Sequence, residues 1–302
     1  MRIIHLLVCL VALGLADARK CNGHKHLCNR KYSNVTFVGS HNANFIGDRI
    51  THNQNVPVTR QLDIGVRFLT IQTHWKDGEI RMCHSKCWLL DVGKLEDFLL
   101  EVSRWMKKHP SDVVTLLLTN PTSIRGRDFA AAFRKVGMDK IAFTPNKKLT
   151  VNSWPTLGQL IDNNNRLVVF MVINMLTLAD YPEKPRREKW IMDWFSYSWE
   201  TPYGELDSNF PHCKRDRPQR DIDESKYMYL INHVWNIAMG ARFEGETVKI
   251  PTRLAANITN SMDSISRQVK LCKAKWGKIP NVILLDFIDD GDAIKAQDHF
   301  NS

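Results

Sequence analysis

The sequence is short of the features that divide or anchor a chain. Beyond the N-terminus, none of its apolar runs reaches about 18 residues, the length that a membrane-spanning helix needs, which argues against a multi-span membrane protein. The 302 residues contain no internal repeat, no low-complexity block and no Gly/Ser-rich linker. They also lack the GxGxxG motif of dinucleotide-binding folds. We therefore predict a single domain.

Acidic residues are outnumbered by basic ones. The chain has 32 Asp and Glu against 42 Lys and Arg, a formal net charge of +10. Hydrophobic residues make up 43% and charged residues 25%, which excludes a disordered tail, a collagen-like fibre and a small disulfide knot. The positive charge favours anionic partners such as phospholipid headgroups. We do not expect nucleic acid, because the charges are scattered and no known nucleic-acid-binding motif is present.

Residues 1–18 have the pattern of a secretory signal peptide. Arg2 is followed by an apolar run over 3–16 that is too short to span a bilayer comfortably, and Ala16 and Ala18 supply the small residues of a cleavage site. A buried N-terminal helix is the alternative, but Arg19 and Lys20 change the character of the chain abruptly. We predict a secreted protein whose folded domain spans 19–302.

The cysteine count fits an exported chain. Loss of Cys9 with the signal peptide leaves an even number, which suggests disulfides. A zinc site is the alternative, but neither cysteine cluster has CxxC spacing. Short separations favour pairing Cys21 with Cys28 and Cys83 with Cys87, which leaves Cys213 to pair with Cys272.

Two sequons are acceptable for N-glycosylation. They begin at Asn34 and Asn257, whereas the proline in Asn120-Pro121-Thr122 excludes a third. We expect both asparagines to lie on the surface of the exported protein.

Short apolar segments alternate with helical ones along the mature chain. Several strand candidates are continuously apolar, as in strands buried on both faces of a parallel sheet; they lie at 35–39, 66–72, 113–119, 167–174, 228–232 and 282–287. A helix is predicted from 95 to about 108, and a second over 254–276 that ends at Gly277. The pattern favours an α/β fold, a single (β/α)8 TIM-type barrel.

In such a barrel the carboxyl ends of the strands meet at one mouth, where the chemistry takes place. Two histidines follow early strands, and an aspartate follows the last one: His41, His84 and Asp286. Other polar residues at strand ends include Gln72, His74, Asn120, Asn174, His233 and Trp235. Because imidazoles titrate near neutral pH, two of them suit a general base and a general acid.

Specific motifs resemble the phosphatidylinositol-specific phospholipase C family. They are Gly39-Ser40-His41-Asn42, the segment 65–74, Cys83-His84, the segments 89–105 and 112–120, and 280–287. The resemblance implies that His41 takes the proton of an inositol 2-hydroxyl, that His84 protonates the leaving oxygen, and that Asp286 orients His41. It further implies that the substrate is contacted by residues at the mouth: Asn42, Arg67, Gln72, His74, Lys86, Asn120, His233 and Trp235.

The family's means of stabilising phosphate charge are missing. In the calcium-dependent branch an Asn and acidic residues hold Ca²⁺; here Asn42 is retained, but the acidic positions read Thr70, Gln72 and Thr119. The metal-free branch has an arginine where this chain has Gln72. We therefore expect no calcium and no other cofactor. His74, Lys76 and Lys86 are the candidates to replace the missing cation.

The stretch 181–203 combines aromatic and basic residues. One interpretation is a rim that contacts an anionic membrane surface, and the other is a packed insertion in which Trp190 and Trp194 lie in the core. The rim would let the protein bind peripherally to a membrane surface, whereas the packed insertion would have no role in function.

Two classes of function remain. One is a secreted, metal-independent phosphodiesterase, monomeric, acting on an inositol phospholipid or a glycosyl-phosphatidylinositol anchor. The other is a catalytically impaired barrel that binds lipid or another anionic surface. A two-histidine ribonuclease is disfavoured, because the motifs at the strand ends match the lipase family.

Overall fold

The computed structural model describes residues 19–121, 124–172, 188–243 and 246–302. The predicted signal peptide, Asn174 and the basic residues at 184–187 lie outside the described residues. Within the described part, no helix is both long and apolar enough to span a membrane.

Parallel strands form a curled sheet, which confirms the predicted barrel-type α/β architecture. The strands are β1 (Phe37–Ser40), β2 (Phe68–Lys76), β3 (Glu79–Cys83), β4 (Asp91–Lys94), β5 (Val114–Thr119), β6 (Leu167–Val172), β7 (Ile191–Asp193), β8 (Ser198–Glu200), β9 (Met228–Asn232), β10 (Asn236–Phe243), β11 (Glu246–Pro251) and β12 (Val282–Leu285). The spatial order of the sheet is β7-β6-β5-β2-β1-β12-β9-β8, and neighbouring strands in this order are parallel. β3 pairs antiparallel with β2 and β4 with β3, and β10 with β11 forms a separate hairpin.

Helices cover the outer face of the sheet. They are α1 (Val58–Asp63), α2 (Leu95–Lys108), α3 (Gly126–Lys135), α4 (Leu157–Asp162), α5 (Ala256–Thr259), α6 (Met262–Trp276) and α7 (Ala293–Asn301). Short 3-10 turns lie at His26–Asn29, Tyr32–Asn34, Met138–Ile141, Trp194–Ser196, Glu224–Lys226 and Arg253–Ala255. α2 has the predicted bounds, with acidic residues in its first turn and Lys107 and Lys108 in its last.

Successive side chains of each strand point to opposite faces of the sheet, and this divides the core into two layers. Residues such as Phe68, Phe170 and Leu230 face the inside of the curled sheet, where Tyr32 and Trp154 close its amino-terminal end. The intervening residues pack outward against the helices. Side chains thus fill the amino-terminal end of the barrel, and the predicted site lies at the carboxyl ends of the strands.

The predicted long helix over 254–276 is interrupted. A 3-10 turn and α5 precede a break at Asn260, after which the Ser261 side chain accepts a hydrogen bond from the Ser264 N–H and caps α6. The Asn260 amide leaves the helical path and donates to the carbonyl oxygens of Asp286 and Phe287. A tertiary contact therefore breaks a helix that the apolar pattern runs through.

The three predicted disulfides are confirmed, as Cys21–Cys28, Cys83–Cys87 and Cys213–Cys272. The sequon residues Asn34 and Asn257 are both exposed, before β1 and in α5 respectively, and their glycosylation stays a prediction.

The tryptophans of the 181–203 stretch belong to the core. Trp190, Trp194 and Trp199 are buried, whereas Tyr203 is exposed. Trp194 packs edge-on against Phe170 inside the sheet. The packed alternative therefore describes these tryptophans, and they form no membrane-facing rim.

Candidate active site

His41 and Asp286 meet because they follow neighbouring parallel strands, β1 and β12. The His41 N–H donates to the Leu285 carbonyl, which aligns the two strand ends. The side chains then pair, with His41 Nδ1 lying 2.8 Å from Asp286 Oδ1. Because a carboxylate accepts, Nδ1 carries the proton, and the lone pair of a neutral His41 is on Nε2.

Asn53 also belongs to the site, although no sequence motif predicts it. Its side-chain nitrogen donates to Asp286 Oδ1 at 2.8 Å, and its oxygen accepts from the Asn42 amide at 3.1 Å. Asn53 thus fixes the carboxylate that orients His41. It lies in an irregular loop between β1 and α1, where neither spacing nor periodicity marks it.

His84 follows β3 in the small loop that the Cys83–Cys87 disulfide closes. Its ring lies edge-on to Phe45, with ring centres 5.1 Å apart. The pKa of His84 is lowered to about 4, first by burial and then by the nearby His41, while Asp286 acts in the opposite sense. The two predicted histidines and the aspartate therefore share one electrostatic environment.

The backbone turns sharply after each of these three residues. Asn42, Ser85 and Phe287 follow them directly and have φ of +48°, +59° and +49°. Positive φ is uncommon for residues other than glycine, and for a residue as bulky as Phe287 it is an outlier. Such conformations persist where surrounding structure enforces them and cluster at functional sites.

Arg67 does not lie at the mouth. It directly precedes β2, at the amino-terminal end of the sheet, where its Nε donates to Asp112 Oδ1 at 2.9 Å and its guanidinium lies 4.7 Å from the centre of the Trp105 ring. The prediction that it contacts substrate is replaced by a structural role.

Three further predicted substrate contacts have structural partners. His233 is fully buried, with Nδ1 2.6 Å from Gln268 Oε1 and Nε2 2.9 Å from the Thr259 carbonyl. The Asn120 side chain forms two hydrogen bonds to the backbone of Ile124. Trp235 Nε1 donates to the Leu206 carbonyl. These hydrogen bonds give the three side chains structural roles.

The candidate cations differ in their surroundings. Lys76 Nζ donates to Asp91 at 3.1 Å, and Arg81 donates to the same carboxylate. His74 is buried, and its pKa is lowered first by burial and then by the positive charge of Lys86. His74 is therefore neutral at pH 7, and Lys86, in the loop that carries His84, is the cation beside it.

The oxygen atoms that would bind calcium are committed elsewhere. Thr70 Oγ1 accepts from the Asn42 N–H at 2.8 Å, and Gln72 Oε1 accepts from the Ser85 N–H at 2.5 Å. Thr119 Oγ1 donates to the Ile71 carbonyl. None of these positions offers a carboxylate, so this donor set does not fit Ca²⁺. Across the described residues, the one cluster of potential metal ligands contains Cys83 and Cys87, whose sulfurs form the disulfide.

Acid is expected to destabilise the fold through His84 and His233. Burial lowers both pKa values to about 4, so between pH 6.5 and 4 the unfolded chain binds more protons than the folded one. This contribution to stability is complete above pH 6.5 and is lost as pH falls towards 4, about 2–3 kcal/mol for each histidine. Urea unfolding at pH 7 and 4.5 measures it.

The variant His84→Ala provides the control for that experiment. It removes one of the two groups and should reduce the loss between pH 7 and 4.5 by about half. An unfolding free energy that stays constant over this range in the wild-type protein would show that neither histidine is held neutral by burial.

Comparison with protein families gives one match over most of the chain. The family described as PI-PLC X 1 matches residues 27–301. A PI-PLC X domain-containing protein 1 of Arthroderma benhamiae is 41% identical over 295 residues, covering 96% of this chain and 92% of the relative. An uncharacterized secreted protein of the same fungus is 35% identical, covering 91% of this chain and 62% of the relative.

Solved structures share the fold at low sequence identity. The phosphatidylinositol-specific phospholipase C of Listeria monocytogenes superposes with a TM-score of 0.56 at 15% identity, covering 92% of this chain and 98% of that enzyme. A single-residue mutant of the Staphylococcus aureus phosphatidylinositol-specific phospholipase C gives a TM-score of 0.56 at 13% identity, covering 89% of this chain and 92% of that one.

Proposed function

Since the chain belongs to the PI-PLC X-domain family, we propose that it is a secreted phosphodiesterase that cleaves an inositol phospholipid or a glycosyl-phosphatidylinositol anchor without calcium. The observation that carries this proposal is the 2.8 Å contact between His41 and Asp286, with His84 in the same electrostatic environment. An oriented histidine beside a second one is the arrangement that general base and general acid catalysis require. Three disulfides are consistent with export.

The proposed reaction moves two protons through the two histidines. Nε2 of His41 accepts the proton of the inositol 2-hydroxyl, whose oxygen forms a bond to phosphorus. The bond from phosphorus to the glycerol oxygen breaks, and His84 donates a proton to that oxygen. The products are a cyclic inositol phosphate and diacylglycerol. Asp286 accepts from Nδ1 throughout and stabilises the imidazolium form of His41.

We assign the missing positive charge to Lys86. Its charge already acts on His74 at the mouth, and the disulfide loop that carries it also carries His84. Charge that develops on a phosphodiester oxygen is stabilised most by a cation that is held in place before the reaction. Lys76, paired with Asp91, is the weaker candidate.

The pH dependence of kcat/KM should report the low pKa of His84. As a general acid it must be protonated, yet its pKa in the free protein is about 4. Above that value the protonated fraction of His84 falls about tenfold per pH unit, so the optimum should lie below pH 7. Initial rates between pH 4 and 8.5 test this. A rate that rises through pH 8 would show that His84 is not the proton donor.

Exposed apolar side chains support a lipid surface as the place of action. Large apolar residues are exposed at eleven positions in the described part of the chain. All but Leu271 lie in segments that come after the paired parallel part of a strand and before the next parallel strand or long helix, and we expect these segments to surround the mouth; they are Ile50, Trp75, Trp88, Leu89, Tyr203, Leu206, Ile237, Met239, Leu254 and Ile258. Apolar residues concentrated at one end of a cationic protein fit an anionic membrane.

Two leucines provide a matched test of this surface. Leu254 is 98% exposed beside the mouth, and Leu271 is 40% exposed on α6. Leu254→Asp should weaken binding to phosphatidylinositol vesicles about tenfold or more, because burying a leucine in lipid is worth about 1.5–3 kcal/mol. Leu271→Asp should leave binding unchanged in the same sedimentation assay. Equal effects of the two substitutions would contradict a docking surface at the mouth.

The proposed activity is tested by release of inositol phosphate from phosphatidylinositol vesicles in EDTA and in Ca²⁺. We expect equal rates in the two conditions. Release that requires Ca²⁺ would overturn the metal-free proposal, and no release despite vesicle binding would favour the catalytically impaired binding protein.

A further inference from the structure

Strand β2 contacts both turns that carry the histidines. Thr70 and Gln72 are two residues apart and therefore face the same side of the strand. Each accepts a hydrogen bond from the backbone N–H of the residue after a histidine: Asn42 donates to Thr70 Oγ1 at 2.8 Å, and Ser85 donates to Gln72 Oε1 at 2.5 Å. Asn42 and Ser85 are the residues with positive φ.

These contacts supply what the two turns need to persist. A residue in the left-handed region is held there only where its surroundings enforce it. β2 is a rigid support because it pairs with β1 on one side and with β5 over five residue pairs on the other. Its side chains therefore hold the two turns at a fixed separation.

The orientation of the Gln72 amide follows from its partner. A backbone N–H only donates, so the atom facing Ser85 is the oxygen. The loop is also held by the disulfide from Cys83 to Cys87 and by the His84 N–H, which donates to the Leu90 carbonyl at 3.0 Å. The Gln72 contact joins this loop to the barrel strand that also holds Asn42.

We propose that Thr70 and Gln72 are positioning residues that hold His41 and His84 at their working separation. This proposal rests on the proposed function, in which the two histidines act together. Both residues occupy positions where the family resemblance places calcium-binding carboxylates. In this chain the two side chains accept hydrogen bonds from the backbone of the turns that follow the histidines. The positions that would bind an ion in the related enzymes therefore hold the histidines in place here.

Thr70→Val and Gln72→Met test the proposal with little change in side-chain volume. Each removes the accepting oxygen, and each should lower kcat about 10- to 100-fold with KM nearly unchanged, since a displacement of about 1 Å costs as much as 10²-fold. The melting temperature should fall only by the effect of one lost hydrogen bond. Thr70→Ser restores an acceptor without adding charge and should recover most of the rate.

Thr73→Val is the matched control. Thr73 is fully buried on the same strand, and its hydroxyl donates to the Thr119 carbonyl at 2.6 Å rather than to a histidine turn. It should leave kcat within about twofold of the wild type, although it loses one buried hydrogen bond.

NMR of the His84 ring separates this proposal from the proposed function. In the wild type the edge-on Phe45 ring shifts the His84 resonances, and Gln72→Met should move them while Thr73→Val does not. Unchanged resonances in Gln72→Met, or equal changes in Thr73→Val, would overturn the positioning role. An inactive wild-type protein would overturn the proposed function, and the NMR comparison would still test the contact.

Discussion

Replacing His41 or His84 by alanine is expected to lower the rate of phosphodiester cleavage by about 10²–10⁴-fold, because each removes one proton-transfer step. Neither loss should come from unfolding. His41 is partly exposed and His84 lies in a loop pinned by a disulfide, so both variants should keep the wild-type circular dichroism and unfold cooperatively. Initial rates on a soluble short-chain phosphatidylinositol measure the effect.

The leaving group distinguishes the two roles. An aryl inositol phosphodiester releases a phenolate that needs no protonation, so His84→Ala should regain most of its lost rate on this substrate. His41→Ala should not, because the 2-hydroxyl must still lose its proton. Recovery of both variants, or of His41→Ala alone, would contradict the assignment of base and acid.

Arg67→Met is expected to cost about 3–5 kcal/mol of unfolding free energy, because it leaves Asp112 buried without its partner. The guanidinium also donates to the Leu62 and Val66 carbonyls, which lose their donor. Urea unfolding at pH 7 measures the change. Arg125→Met, which removes an exposed pair with Asp128, should change the unfolding free energy by less than about 1 kcal/mol.

Activity distinguishes this structural role from the substrate contact that the sequence suggested. Folded Arg67→Met protein, assayed at low temperature, should keep its wild-type KM because the side chain lies at the opposite end of the sheet from His41. A variant of normal stability with a raised KM would show that Arg67 contacts the substrate.

The strands and the histidine pair were predictable because their signals are local. Continuous apolar runs identified β5 and β9 to within one residue, and the residues after β1 and β3 identified His41 and His84. The last strand was predicted to continue to 287, but it ends at Leu285, because the chain turns at Asp286 and Phe287. That turn depends on Asn260, which lies far away in the sequence.

The errors have a common physical cause. In the sequence, a polar residue beside a strand end gives the same pattern whether its side chain faces the mouth or a buried partner. The partners of Arg67 and His233 are set by tertiary contacts, which the sequence pattern does not show. No sequence pattern predicts a role for Asn53, because an irregular loop lacks the residue periodicity of a helix or strand. The mouth itself was predictable from topology, whereas the assignment of each side chain to it was not.

The most direct test of the two-histidine mechanism is phosphorus-31 NMR of the wild-type protein with short-chain phosphatidylinositol in EDTA. Attack by the 2-hydroxyl predicts that a cyclic inositol phosphate resonance replaces that of the phospholipid, and that the resonance is absent with His41→Ala. A linear inositol phosphate as the first product, or a phospholipid resonance that persists while the protein is bound, would contradict the account.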